Sequence, residues 1–81
     1  MKFYNAGEIV LKEDDPIDKI IFVVNGALEV YTEFEGNEFI IETLHCGTIL
    51  NYRTIFTDDH MRVSVRSKKT GDGTYIQWLK L

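Results

Sequence analysis

Ile20-Ile21-Phe22-Val23-Val24 is the longest apolar run in the chain, and Asn25-Gly26 separates it from the alternating stretch Ala27 to Phe34. Asn-Gly is the strongest short-range signal for a tight type I′ hairpin, because both residues accept positive φ where β-branched neighbours do not. The spacing therefore predicts that 19–24 and 27–34 pair as antiparallel strands about that turn. In the second arm Leu28, Val30, Thr32 and Phe34 share one face, and Ala27, Glu29, Tyr31 and Glu33 share the other. The period is two, so this sheet is expected to be dry on one side and wet on the other.

The same pattern continues on both sides. Glu8 to Leu11 predicts an early strand behind Gly7, and Glu13-Asp14-Asp15-Pro16 a turn in which acidic side chains bond nearby amides. Glu35-Gly36-Asn37 predicts a second turn and 38–44 a further strand, closed by His45-Cys46-Gly47. From Asn51 to Phe56 the period changes: Tyr52, Ile55 and Phe56 fit one face of a short helical turn with Asn51 as its N-cap. Asp58-Asp59 is a polar break, and 61–67 alternates as one strand. A Lys-, Gly- and Asp-rich loop spans 68–73, and 74–81 is the last strand, with Tyr75 and Trp78 on opposite faces. Seven or so short strands and one helical turn predict an all-β, antiparallel sandwich or barrel in a single domain, 1–81.

Charge and composition narrow the function. The chain has 81 residues with a net charge of −4, against the basic surface that nucleic-acid binding requires. No apolar run approaches the ~20 residues of a membrane helix, so direct membrane insertion is not expected. The N-terminus has no apolar signal core and the single Cys46 fits a reducing compartment. A cytoplasmic location is expected, including as the cytosolic part of a membrane protein. His45 and Cys46 are strand neighbours on opposite faces and do not share a proton, so Cys46 is expected to be a buried structural thiol. His45 and His60 have no further ligands at metal spacing, and a cupin-type metalloenzyme would need histidines that converge. Asp14-Asp15 and Asp58-Asp59 are expected to form turns. The chain contains no nucleophile–base–orienter set, Walker loop or dinucleotide fingerprint, so no enzymatic activity is expected.

With strands and turns placed, Phe3-Tyr4-Asn5-Ala6-Gly7-Glu8-Ile9-Val10 and Glu13 through Tyr31 together resemble the opening of the cyclic nucleotide-binding domain. That family opens with an aromatic, two residues, Gly-Glu and two aliphatics. An acidic-Gly-Asp-Pro turn follows, then an aliphatic strand ending in Gly and an aliphatic-Glu-Val-Tyr strand. The resemblance implies an eight-stranded jelly roll, or double-stranded β-helix barrel, with a phosphate-binding cassette between its sixth and seventh strands. It also implies a domain trimmed at both ends, lacking the leading helix and the C-terminal lid helices. The expected partners are therefore domains or lid helices of a parent protein, or a second copy across an uncovered apolar face.

In that family the cassette holds a cyclic phosphate with a glycine turn before a helix N-terminus, an arginine fork and a carboxylate for the ribose hydroxyl. Gly47 through Phe56 occupies the matching stretch. Gly47 fits the opening turn. Asn51 replaces the second glycine, Tyr52 the carboxylate, and Arg53 an aliphatic residue, with Thr54 following. Met61 stands where the phosphate arginine belongs and Arg62 is one residue late, which in a strand reverses its direction, with Ser64 just beyond. The candidate site residues are Gly47, Asn51, Tyr52, Arg53, Thr54, Arg62 and Ser64. No cofactor is called for, cAMP or cGMP being the ligand if one binds. The expectation is a non-catalytic regulatory module, such as part of an ion channel or kinase-regulatory subunit, with weak or no nucleotide binding. The alternative is a working sensor that uses Arg53, or Arg62 turned by a bulge, for the phosphate.

Overall fold

The computed structural model describes residues 1–15, 19–50, 56–57, 60–61 and 63–80, with the backbone alone at 19, 56–57, 60–61 and 80. Among the described residues there are nine strands: β1 (Lys2–Tyr4), β2 (Ile9–Leu11), β3 (Lys19–Asn25), β4 (Ala27–Phe34), β5 (Asn37–His45), β6 (Phe56–Thr57), β7 (His60–Met61), β8 (Ser64–Ser67) and β9 (Thr74–Lys80). One sheet has the order β1-β9-β3, a second β2-β8-β4-β5, and β6-β7 is a small ribbon. Every pairing among the described residues is antiparallel. The expected all-β class and the jelly-roll order are present, as facing sheets with no closed ring of strands among the described residues.

The two larger sheets enclose the core. Tyr4, Ile21, Val23 and Ile76 come from the first; Leu28, Val30, Leu44 and Val65 come from the second; Leu50 joins them. Burying each aliphatic side chain contributes about 1.5–3 kcal/mol. At one end of the sandwich two hydroxyls join the sheets. Thr74 Oγ1 donates to the Ala27 carbonyl at 2.8 Å and lies 2.8 Å from Ser67 Oγ. Thr74 has one proton and gives it to Ala27, so Ser67 donates to Thr74.

The Asn25-Gly26 hairpin does not form. β3 pairs with β9, and β4 with β5 and β8, so the two arms belong to different sheets. A type I′ turn needs positive φ at both central residues, whereas Gly26 has φ +91° and Asn25 stays in β3, opposite Tyr75. What the position requires is a close crossing: a Cβ on Gly26 would lie 2.5 Å from the Gly73 carbonyl oxygen and 3.0 Å from the Thr74 Cα. The type I′ hairpin is instead at Glu35-Gly36, with φ +53° and +80°, between Phe34 and its partner Asn37.

Other expectations shift in smaller ways. β1 is an additional strand ahead of the early one. The single strand expected over 61–67 is two, since β7 ends at Met61, Val63 lies in a bend and β8 starts at Ser64. Phe56, the last residue of the expected helical turn, belongs to β6; residues 51–55 of that turn lie outside the described residues, as do Asp58 and Asp59. Cys46 is exposed in the turn after β5 rather than buried, because the chain leaves the sheet one residue earlier, at His45.

Candidate functional site

Gly47 opens the stretch that corresponds to the cassette. Its φ is +88°, and nothing lies within 4 Å of where a Cβ would sit, so the backbone angle and not crowding favours glycine there. From this turn the chain runs antiparallel beside β3. Gly47 N donates to the Val23 carbonyl at 2.8 Å, Val23 N to the Thr48 carbonyl at 2.9 Å, and Leu50 N to the Ile21 carbonyl at 2.9 Å. Phe22 and Ile49 form a bridge, and buried Leu50 anchors the segment in the core. The first sheet thus delivers the chain to Asn51, and the second receives it again at β8.

Between those points Asn51, Tyr52, Arg53, Thr54 and Arg62 lie outside the described residues. Ser64 is on the outer face of β8, where its hydroxyl accepts the Glu13 N–H at 3.1 Å. It borders a shallow cleft with a volume of about 420 Å³, lined by Ile9, Lys12, Glu13, Tyr31, Glu33 and Ser64. The cleft lies across the sheet from the core. Gly47, in the turn bonded to Val23 of β3, and Ser64, on the outer face of β8, thus have different neighbours on either side of the cassette stretch.

The outer face also carries an ion cluster. The β4–β8 register places Arg66 opposite Glu29, and its guanidinium lies over the Tyr31 ring at 4.3 Å from the centroid. Arg66 Nε donates to Glu29 Oε1 at 3.0 Å, and Nη1 to Glu38 Oε1 at 2.9 Å. Lys69 Nζ also reaches Glu38 Oε1, at 3.3 Å. Arg66 is 5 % exposed and Glu29 7 %. The face expected to be wet is therefore dry at its centre, because arginine, carboxylate and aromatic ring cover one another. Burial by itself lowers the Arg66 pKa, but the hydrogen bonds and charges of Glu38 and Glu29 raise it overall. The Arg66 hydrogen bond, opposed by burial and joined by Lys69, holds the Glu38 carboxyl below the usual glutamate value.

Sequence reasoning missed this cluster. Arg66 and Glu29 each read as an outward residue on an alternating strand, and only the β4–β8 register shows that they face each other. Among the described residues Arg66 is the one arginine. It is bound to carboxylates on the side of the sheet away from the core.

The family model for the cyclic nucleotide-binding domain matches residues 1–75. A search of curated protein sequences finds no match. Among solved structures, the catabolite activator protein of Thermus thermophilus is similar at a TM-score of 0.79 and 16% identity, covering 98% of this chain and 36% of that one. A transcriptional regulator of Thermotoga maritima gives 0.80 and 25% identity, covering 98% and 60%. The regulatory domain of Toxoplasma gondii PKA, crystallised with cAMP, gives 0.81 and 16%, covering 98% and 29%. The chain thus spans about a third of the length of the first and last of these proteins. With strand order, register and the family match over 1–75 in agreement, the chain belongs to the cyclic nucleotide-binding domain family.

Proposed function

We propose that this domain is a non-catalytic regulatory or interaction module of a larger cytosolic signalling protein, with weak or no cyclic nucleotide binding. The observation that carries the proposal is the residue content of the cassette: Tyr52 replaces the sugar-binding carboxylate, and Met61 the phosphate-binding arginine. Without the carboxylate the ribose hydroxyl loses its acceptor, and without the guanidinium the phosphate loses a charge-assisted fork. Arg66 is not counted as a replacement, since its Nε and Nη1 are bonded to Glu29 and Glu38 on the side of the sheet away from the core. Its partners in this role are other domains of the parent protein or lid helices that cover the sandwich, or a second copy of the domain.

The test is calorimetric titration with cAMP and with cGMP. Little or no heat is expected for either, and sub-micromolar binding of either one overturns the proposal. The second reading is a working sensor with Arg53 or Arg62 on the phosphate. It is favoured by Gly47, whose positive φ preserves the turn that opens the family's cassette. It requires tight binding that collapses on Arg53→Ala or Arg62→Ala.

A further inference from the structure

The tip of the β4–β5 hairpin has little packing to hold it. From Glu33 to Ile41 every residue is exposed, Phe34 at 64% and Phe39 at 52% among them. β5 is the edge of its sheet, so its outer side pairs with no strand among the described residues. A segment with so few buried apolar contacts is expected at the low end of local stability. Yet Glu38, inside this stretch, is tied to Arg66 and Lys69 on the body of the domain, 28 and 31 residues away in sequence.

We propose that the Glu38–Arg66 ion pair is a latch that fastens the β4–β5 hairpin tip to β8, the strand that leads out of the cassette. The two carboxylates on Arg66 have different roles. Glu29 is buried on the central strand β4, its side chain 10% exposed, and keeps the guanidinium neutralised and stacked on Tyr31 whatever the hairpin does. Glu38 is the outer partner, its side chain 35% exposed. Breaking the Glu38 bond therefore leaves no unpaired buried charge, and the tip can be released while β8, β4 and the core stay in place. Lys69, 60% exposed, shares the same carboxylate oxygen at the longer distance and adds a weaker, solvent-screened attraction. The hairpin is thus a separately openable unit held by one carboxylate, whether or not the domain binds a nucleotide.

Amide hydrogen exchange on the full chain tests the latch. In Glu38→Gln, exchange of the hairpin amides between 33 and 41 should rise about three- to tenfold, the range for losing one charge-assisted contact. The β3 and β9 amides should be unchanged. Lys69→Met should move the tip much less than Glu38→Gln does. Raising salt to roughly 1 M, where the screening length falls to about 3 Å, should speed tip exchange in the wild type but not in Glu38→Gln. Unchanged tip exchange in Glu38→Gln overturns the proposal, as does equal acceleration in every strand. An effect of Lys69→Met as large as that of Glu38→Gln also overturns it, because the tie would then belong to Lys69.

Discussion

Replacing Thr74 by valine keeps the shape of the side chain and removes only its hydroxyl, at a position 1% exposed. Two hydrogen bonds of 2.8 Å are lost, one to the Ala27 carbonyl and one to Ser67 Oγ. Leaving a buried polar group without a partner costs about 1–3 kcal/mol. Neither neighbour is wholly abandoned, however. The Ala27 carbonyl still accepts the Lys68 N–H at 3.0 Å, and Ser67 Oγ lies 3.4 Å from the Tyr4 carbonyl and can turn its proton there. Valine also suits a strand slightly better than threonine. The expected loss is therefore about 1–2 kcal/mol, seen in urea unfolding as a lower midpoint at constant slope, or as a drop in Tm of about 5–10 °C. The double variant Ser67→Ala/Thr74→Val should lose less than the sum of the two single variants, since both single changes remove the same bond. A loss under about 0.5 kcal/mol, or strict additivity, would refute the view that this hydroxyl pair joins the two sheets.

Two further outcomes follow from the same structure. Gly26→Ala sets a Cβ 2.5 Å from the Gly73 carbonyl at φ +91°, so backbone has to move, and the cost is expected above about 3 kcal/mol; Gly36→Ala, at φ +80° with nothing within 4 Å, should cost only about 1–2 kcal/mol. Equilibrium unfolding ranks the two, and equal losses would mean that the crossing at Gly26 is not tight. Arg66→Met leaves Glu29 buried without its cation and should destabilise by about 3 kcal/mol, and adding Glu29→Gln should recover part of it; an Arg66→Met variant as stable as the wild type would show that the cluster is incidental.

The alternating pattern of Ala27 to Phe34 was enough to predict a strand and its two faces, since Leu28 and Val30 do face the core. It was not enough to predict the strand's partners. Asn25-Gly26 and Glu35-Gly36 both read as turns, and the chain uses the one with the weaker local signal as its type I′ hairpin. The deciding factor is non-local: Gly26 meets Gly73, a neighbour 47 residues along the chain, which no window of sequence reveals. Arg66 shows the same limit for charge. It lies beside core-facing Val65 on β8, and Glu29, Glu38 and the Tyr31 ring, brought to it by the strand pairing, keep it from solvent. Of the candidate stretch, the turn at Gly47 was legible because positive φ is a local demand. The bond between Ser64 and Glu13 was not, because it joins β8 to a turn 51 residues away in sequence.

The groups that hold this fold are distinct from those with which the family grips its ligand. Thr74 and Ser67 join the sheets, Gly26 permits the crossing, and Arg66 with Glu29 closes the outer face. None of them lies in the stretch from Gly47 to Phe56 or at Met61. Groups that hold a fold can thus be separate from groups that would bind a ligand, which is how one architecture comes to serve unrelated functions. Binding and stability should accordingly respond to different substitutions. Thr74→Val is expected to lower the melting temperature with no effect on nucleotide titration, and changes at Arg53 or Arg62 are the ones that would reveal a working phosphate site.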